Sequence, residues 1–322
     1  MAITAATKLS DFSGFIPAEQ SAAIFERAAR QSVVQRLVPQ VPLGYAGRSI
    51  PVVTTRPTAA WTDEATTKHA TRGSMTLATI TPQKLTAIMV ESMEVVRANP
   101  GGYIEAMRNG MADAFAVAFD RAVFHNEGGD GTAGAGPFST YLDQTTKSQE
   151  IGGTSVANGG IHVDLVEAMR DVVSDKDASG RRYKVTGWAL DDVLEPSLWG
   201  AVDTTGRPIY TELPTDATSA TISTAGRLMN RPSFLGEGVA SFNQTDVVGY
   251  VGDWSTCRWG VVGGISYRTS TEAPVTINGS LVSCFENNLV AFLAEAEYGF
   301  IASDVEAFSK LTNVGNSPVT SS

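Results

Sequence analysis

The stretch that most constrains the fold of this 322-residue chain is a predicted helix at residues 101–126. Apolar side chains recur every three or four residues, so they share one face of the helix. They are Ile104, Met107, Met111, Phe115, Ala118 and Ala122. The other face carries Glu105, Asn109, Asp113 and Asp120. At 1.5 Å per residue the helix is roughly 40 Å long, about the width of a domain. It is therefore either an ordinary core helix or an element against which several others pack.

Composition predicts a globular protein with two domains, because single cores stop growing near this chain length. Hydrophobic residues make up 43% of the chain, and 31 glycines indicate many turns and strands. The net charge is -10. Since binding to nucleic acids depends on Lys and Arg neutralising phosphates, this acidic chain is a poor candidate for gripping DNA.

The chain begins with small and polar residues and has no charged segment followed by an apolar one, so no signal peptide is predicted. No apolar run reaches about 18 residues, the length of a membrane span. We therefore expect a soluble, intracellular protein. Cys257 and Cys284 lie in apolar surroundings and are predicted to be free, buried thiols.

The first half of the chain predicts a helix from residue 17 to Pro39 and a long hairpin. Residues 48–54 form a β-branched strand, and residues 75–90 supply one or two more. Residues 62–73 between them carry hardly an apolar side chain and predict a solvated tip. A lone hairpin is marginally stable, so we expect this one to rest on something else, such as a neighbouring subunit.

The second half alternates helix and strand and predicts a compact α/β domain to about residue 275. A helix is expected at 162–173, a strand at 183–190, and a helix at 193–202 capped by Asp191 and Asp192. Residues 285–301 predict one long strand, and residues 304–311 close the fold.

No catalytic, metal or cofactor site is predicted. The three histidines, His69, His125 and His162, share no metal-ligand spacing with one another or with the cysteines. The serines lack a nucleophile elbow. From the residues alone the chain is a soluble α/β protein without a recognisable active site.

The order of six segments, however, resembles the major capsid proteins of tailed bacteriophages with the Hong Kong 97-type fold. The segments are IPAEQSAAIFERAARQSVVQRLVPQVPL, RSIPVVTTRPTAAWTDEA, TLATITPQKLTAIMVESMEVV, LMNRPSFLGEGV, VGDWSTCRWGVVGGISYRTSTEA and LVSCFENNLVAFLAEAEYGFIASDVEAF. The resemblance implies an α+β fold. Its parts would be an N-terminal arm and first helix (1–45), an extended β-hairpin loop (46–84), a peripheral domain with a long spine helix (85–155), an axial α/β domain (156–275), and the C-terminal strand and tail of the peripheral domain (276–322).

The resemblance also implies a function. The chain would form hexamers and pentamers that close into an icosahedral virion shell, assembled in the host cytoplasm with portal, scaffolding or maturation proteins. No attached scaffolding segment is expected, because the chain starts directly at the arm. We hypothesise that acidic groups on the inner wall keep the enclosed DNA from sticking; tight, salt-sensitive binding to duplex DNA would refute this.

Some members of this family crosslink their subunits through an isopeptide bond between a lysine and an asparagine, assisted by a glutamate. The resembling positions are Lys68 in the loop, Asn288 and Glu295. If residues 285–301 form one strand, Asn288 and Glu295 lie roughly 23 Å apart on opposite faces. A working site would then have to be built between subunits. Otherwise Asn288 and Glu295 are ordinary fold residues, and Lys68 is a solvated charge.

Two other functions remain open at this stage. A shell protein of a bacterial encapsulin-type nanocompartment shares the fold but encloses cargo enzymes. A soluble α/β enzyme would need a cluster of titratable residues with usable spacing, which the sequence does not offer.

Overall fold

The computed structural model describes residues 32–313, except 129–130, 156–157, 178, 204, 213–224, 241–245 and 278. The predicted N-terminal arm and the first part of the predicted helix at 17–39 lie outside the described residues. The helix is described over Val33–Leu37.

The helices of the described residues, in chain order, are α1 (Val33–Leu37), α2 (Met93–Ala98), α3 (Tyr103–His125), α4 (Ile161–Ser174) and α5 (Glu195–Trp199). The strands are β1 (Arg48–Thr55), β2 (Ser74–Ile80), β3 (Gln83–Ser92), β4 (Ser148–Glu150), β5 (Gly187–Leu190), β6 (Tyr210–Glu212), β7 (Ala225–Leu228), β8 (Arg231–Leu235), β9 (Val247–Gly252), β10 (Cys257–Ser270), β11 (Pro274–Ile277), β12 (Ser280–Ser283), β13 (Leu289–Ala302) and β14 (Phe308–Thr312).

Two sheets organise the fold. The larger has seven strands in the order β4-β14-β9-β5-β8-β7-β6, and the smaller has three antiparallel strands in the order β10-β13-β3. Strands β1 and β2 form a separate hairpin, and so do β11 and β12. This mixed architecture confirms the predicted α+β class.

The predicted long helix is confirmed as α3, which runs over 23 residues. It begins after Gly102, which adopts a left-handed conformation, and the Asn99 side chain accepts a hydrogen bond from the Ile104 amide. It ends at Asn126, whose positive φ of 51° stops the helix.

The C-terminal half of α3 joins the two sheets. The Phe119 ring packs at a tilt against Tyr298 of β13, with ring centroids 4.9 Å apart, and Phe124 stacks on Tyr250 of β9 at 5.1 Å. Residues 103–114 of the helix are exposed or half-buried, whereas nearly all side chains from Phe119 to His125 are buried. Only the C-terminal half of the helix therefore packs against both sheets, and aromatic side chains make these contacts.

Asp120 contradicts the predicted polar face of this helix. Its side chain is only 3% exposed, although the helical period places it opposite the apolar stripe. The carboxylate accepts hydrogen bonds from the Ser32 hydroxyl (2.5 Å), the Val33 amide (2.7 Å) and the Val34 amide (3.2 Å). Because helix α1 crosses α3 at this point, Asp120 satisfies the unpaired donors at the start of α1.

The long hairpin is confirmed, and its tip is exposed throughout residues 56–73. One face of its two strands, however, is apolar and open to solvent. The pairs Pro51 with Leu77 and Val53 with Met75 lie on one face, and all four side chains are exposed. Trp61 in the tip is also fully exposed. An apolar face this open indicates a contact surface.

Three predicted elements have different limits. The strand at 183–190 is formed only over Gly187–Leu190. The helix at 193–202 is a short 3₁₀ turn followed by Glu195–Trp199, with the Asp191 side chain accepting from the Val193 amide at 2.9 Å as expected of a cap. The strand at 285–301 starts only at Leu289, since residues before it form a turn.

The two sheets cross the predicted domain boundaries. Strand β10, within the predicted axial segment 156–275, pairs with β13 in the three-stranded sheet. Strands β4 and β14, from segments predicted as peripheral, join the seven-stranded sheet. The chain thus passes between the sheets several times, and the division into domains stays a prediction.

Candidate crosslink site

Glu295 lies in the middle of β13 and faces two cations. Its carboxylate is 2.5 Å from the Lys84 Nζ of β3 and 3.9 Å from the Arg268 Nη2 of β10, and its side chain is 17% exposed. The hydrogen bond from Lys84, together with the charges of Lys84 and Arg268, lowers the pKa of Glu295. The carboxylate is therefore ionised at neutral pH, in a position between three strands.

Asn288 lies just before β13, not within a strand as predicted. It adopts a positive φ of 53°, and its side-chain amide donates a hydrogen bond of 2.6 Å to Glu94 at the start of α2. Its backbone carbonyl accepts from the Met93 amide at 2.9 Å. These contacts fix the carboxamide at the corner where β3 passes into α2.

The structure does not bring the three predicted crosslink residues together within one subunit. Along the ladder with β3, Leu289 is opposite Ser92 and Glu295 is opposite Thr86, so Asn288 and Glu295 lie roughly 20 Å apart. Lys68 is exposed in the hairpin tip. Sequence reasoning missed Lys84, because only the pairing of β3 with β13 places that lysine beside Glu295.

Of the other candidate side chains, His125 and the two cysteines are buried. His125 donates from Nε2 to the Val239 carbonyl at 2.8 Å and accepts from the Tyr250 hydroxyl at 3.4 Å, and burial lowers its pKa. Both cysteines are free thiols, as predicted, and burial raises the pKa of Cys257 to about 12. His69 is exposed in the hairpin tip.

Across the described residues, no three His, Cys, Asp or Glu side chains are grouped so as to hold a metal ion. In the same part of the chain, no helix has both the length and the apolar character of a membrane span.

Comparison with known proteins identifies the family of this chain. The model of the "Phage capsid family" matches residues 13–313. The chain belongs to the phage capsid family. It is 38% identical over 307 residues to "Probable major capsid protein gp17" of Mycobacterium phage D29. The matched region covers 94% of this chain and 91% of that protein. The corresponding protein of Mycobacterium phage L5 is also 38% identical, over 316 residues. The chain is thus a major capsid protein and a component of the virion capsid.

Solved structures place the capsid protein in the Hong Kong 97-like fold. A chain of Gordonia phage Cozz superposes with a TM-score of 0.71 at 22% identity, covering 95% of this chain and 94% of its own. The capsid of an empty GTA particle, computed with C5 symmetry, superposes with a TM-score of 0.63 at 17% identity, covering 94% and 97%. The predicted fold class is confirmed, and the rival interpretation as a soluble enzyme loses its basis.

Proposed function

We propose that this capsid protein assembles as hexamers and pentamers into a closed icosahedral shell around a double-stranded DNA genome. The observation that carries the proposal is the β1–β2 hairpin, whose apolar face of Pro51, Val53, Met75 and Leu77 is open to solvent. A two-stranded hairpin gains little stability alone, and an exposed apolar face of this kind suits burial against a neighbouring subunit. The GTA capsid, which was computed with C5 symmetry, supports pentamers.

Electron microscopy of the purified, co-expressed protein tests this proposal. We expect closed polyhedral particles. A variant with Val53→Asp and Leu77→Asp should remain folded, because both side chains lie on the solvent face, yet yield few particles. Its matched control is Ser49→Asp with Thr79→Asp, a cross-strand pair nearer the hairpin base. Only open or amorphous material from the wild-type protein, with its assembly partners present, would refute the proposal.

We further propose that Lys68 of one subunit forms an isopeptide bond with Asn288 of another, at a site that includes Glu295. The neutral lysine amine attacks the Asn288 side-chain carbonyl carbon, and the new C–N bond replaces the bond to nitrogen that leaves as ammonia. A carboxylate is needed to take the proton from the attacking amine. Since Asn288 and Glu295 lie far apart in one subunit, the site must combine residues from neighbouring subunits.

The Lys84–Glu295 ion pair bears on this reaction. Glu295 is ionised and so able to accept a proton, but Lys84 holds it at 2.5 Å. An incoming Lys68 amine would have to share or replace Lys84 at the carboxylate. Crosslinking would therefore follow assembly and would not occur in the isolated subunit.

Denaturing gels of boiled particles test the crosslink. We expect high-mass ladders from the wild-type protein and monomers of 34.0 kDa from Lys68→Arg, which keeps the charge but forms no amide under these conditions. Asn288→Asp and Glu295→Gln should also give monomers. Lys84→Arg is the matched control and should still crosslink. Wild-type particles that dissolve to monomers would reject the crosslink, and ladders that persist in Lys68→Arg but vanish in Lys84→Arg would reassign the lysine.

A further inference from the structure

Asn288 is joined to the start of helix α2 by two hydrogen bonds. Its backbone carbonyl accepts from the Met93 amide at 2.9 Å, and its side-chain Nδ2 donates to the Glu94 Oε1 at 2.6 Å. The next residue, Leu289, pairs with Ser92 in the ladder of β13 and β3. The turn that carries Asn288 and the first turn of α2 therefore have a fixed relative position, and the Glu94 carboxylate lies against the Asn288 carboxamide.

The contact also settles which end of the carboxamide faces Glu94. A hydrogen bond from its own backbone amide, with others from Asn288 and Ser92, lowers the pKa of Glu94, so its carboxylate is ionised at neutral pH. An ionised carboxylate only accepts hydrogen bonds, so the amide nitrogen and not the oxygen must lie against it. This nitrogen is the atom that would leave as ammonia in the proposed crosslink.

Both side chains can be reached by a second subunit. Asn288 and Glu94 are exposed, and they lie at the corner where β3 passes into α2. Glu295 lies roughly 20 Å away along β13 in the same subunit. The Glu94 carboxylate is thus at the reacting nitrogen before assembly, whereas Glu295 can arrive there only from another subunit.

The crosslink needs two proton transfers. A lysine ammonium must first lose a proton to become a nucleophile, and an ionised carboxylate such as Glu295 can accept it. After the amine has added to the carboxamide, its nitrogen carries one proton more than an amide nitrogen does. The Asn288 nitrogen carries one proton fewer than ammonia. A second proton must therefore pass from one nitrogen to the other before the bond to Nδ2 breaks.

We propose that Glu94 carries this second proton and is a catalytic residue of the crosslink; the inference rests on the proposed crosslink between Lys68 and Asn288. Attack of the lysine Nζ on Asn288 Cγ forms the new C–N bond and moves the carbonyl electron pair to Oδ1. Glu94 takes a proton from Nζ and gives it to Nδ2. The C–Nδ2 bond then breaks, ammonia leaves with the electron pair, the carbonyl forms again, and Glu94 returns to its ionised form.

A purely structural role for Glu94 is the alternative. Asn288 has a φ of 53°, a left-handed conformation that asparagine adopts more readily than most residues, and the hydrogen bond to Glu94 would then serve only to hold it. Glu94→Gln distinguishes the two roles. Glutamine still offers a carbonyl oxygen to the Asn288 amide, but it does not carry a proton between the two nitrogens at neutral pH.

The rate of crosslinking tests the proposal. Particles are sampled over time after assembly, boiled in detergent and run on denaturing gels. Glu94→Gln should form normal particles but delay the ladders at least about 100-fold, since general acid–base catalysis typically contributes about 10²–10⁴-fold. The matched control is Glu286→Gln, which removes an exposed carboxylate from the turn before Asn288 and should crosslink at the wild-type rate.

Co-expression of two variants shows whether Glu94 acts on the Asn288 of its own subunit, which it contacts. A Glu94→Gln subunit still supplies Lys68, and a Lys68→Arg subunit still offers Asn288 with Glu94. Each subunit of this mixture can form one bond, so the gel should show dimers and no longer species. Glu94→Gln mixed with Asn288→Asp should give monomers, because neither subunit offers a working acceptor.

Ladders from Glu94→Gln particles at the wild-type rate would overturn the proposal and leave the crosslink intact. Monomers alone from the mixture with Lys68→Arg would overturn it as well. If Glu94→Gln made no particles, Glu94→Asp would decide instead: its shorter side chain draws the carboxylate away from Nδ2 and should slow crosslinking, and a wild-type rate would overturn the proposal. Wild-type particles that never crosslink would refute the proposed crosslink itself.

Discussion

Replacing Asp120 with alanine is expected to lower the free energy of unfolding by about 3 kcal/mol or more. The substitution leaves the Val33 and Val34 amides and the Ser32 hydroxyl without their acceptor in a buried position. Unpaired buried donors cost about 1–3 kcal/mol each. Urea unfolding followed by circular dichroism measures the loss. The matched control is Glu105→Ala on the exposed part of the same helix, which should change stability by less than about 0.5 kcal/mol.

The contribution of Asp120 should also depend on pH. Burial raises the pKa of its carboxyl from 3.8 to about 7, although the hydrogen bonds from Ser32, Val33 and Val34 oppose this shift. The folded protein then holds a proton that the unfolded chain releases between these two values. Stability from this group is therefore present below about pH 4 and declines as the pH rises to about 7, by about 1.4 kcal/mol per pH unit.

Asp120→Asn isolates this effect, because the amide does not titrate. The free-energy advantage of the wild type over Asp120→Asn should be larger at pH 5 than at pH 8. An advantage that grows with pH would mean that the three hydrogen bonds outweigh burial and keep the carboxylate charged.

Asp120 also marks the limit of what could be predicted from the sequence. The period of 3.6 residues placed α3 to within two residues at its start and one at its end, since the apolar spacing is a local signal. The same period assigned Asp120 to a solvated face. That face is covered by α1, more than 80 residues earlier in the chain, and by the backbone at Gly238, more than 100 residues later, and no local pattern records such contacts.

The candidate crosslink site shows the same division between local and distant signals. The hairpin strands and the position of Lys68 in an exposed tip followed from β-branched residues and a polar segment. The pairing of Glu295 with Lys84 depends on the register between β3 and β13, which are about 200 residues apart in sequence. Asn288 was placed in a strand because its neighbours are apolar, but its left-handed conformation ends the turn before β13.

Replacing Phe115 with aspartate is expected to abolish particle formation. Phe115 is 2% exposed and belongs to the core cluster shared by α3 and both sheets. An unpaired carboxylate there would either be buried at a cost of several kcal/mol or force the helix away from the sheets. Met111, one turn earlier, is only half-buried against the same core, so Met111→Asp should have a smaller effect in the same direction.

Phe115→Leu separates loss of packing from loss of the helix. Leucine keeps the site apolar and leaves a smaller cavity than alanine, so it should cost less than the roughly 3–5 kcal/mol typical of a buried Phe→Ala change, and its particles should look like those of the wild type. The comparison is made by electron microscopy of equal amounts of soluble protein, with thermal unfolding of each subunit. If Phe115→Asp gave normal particles, α3 would not be the element that transmits the relative position of the two sheets to the shell. Phe119 and Phe124 are five residues apart on α3 and pack against different sheets. Displacing the helix at Phe115 should therefore disturb both ring contacts together.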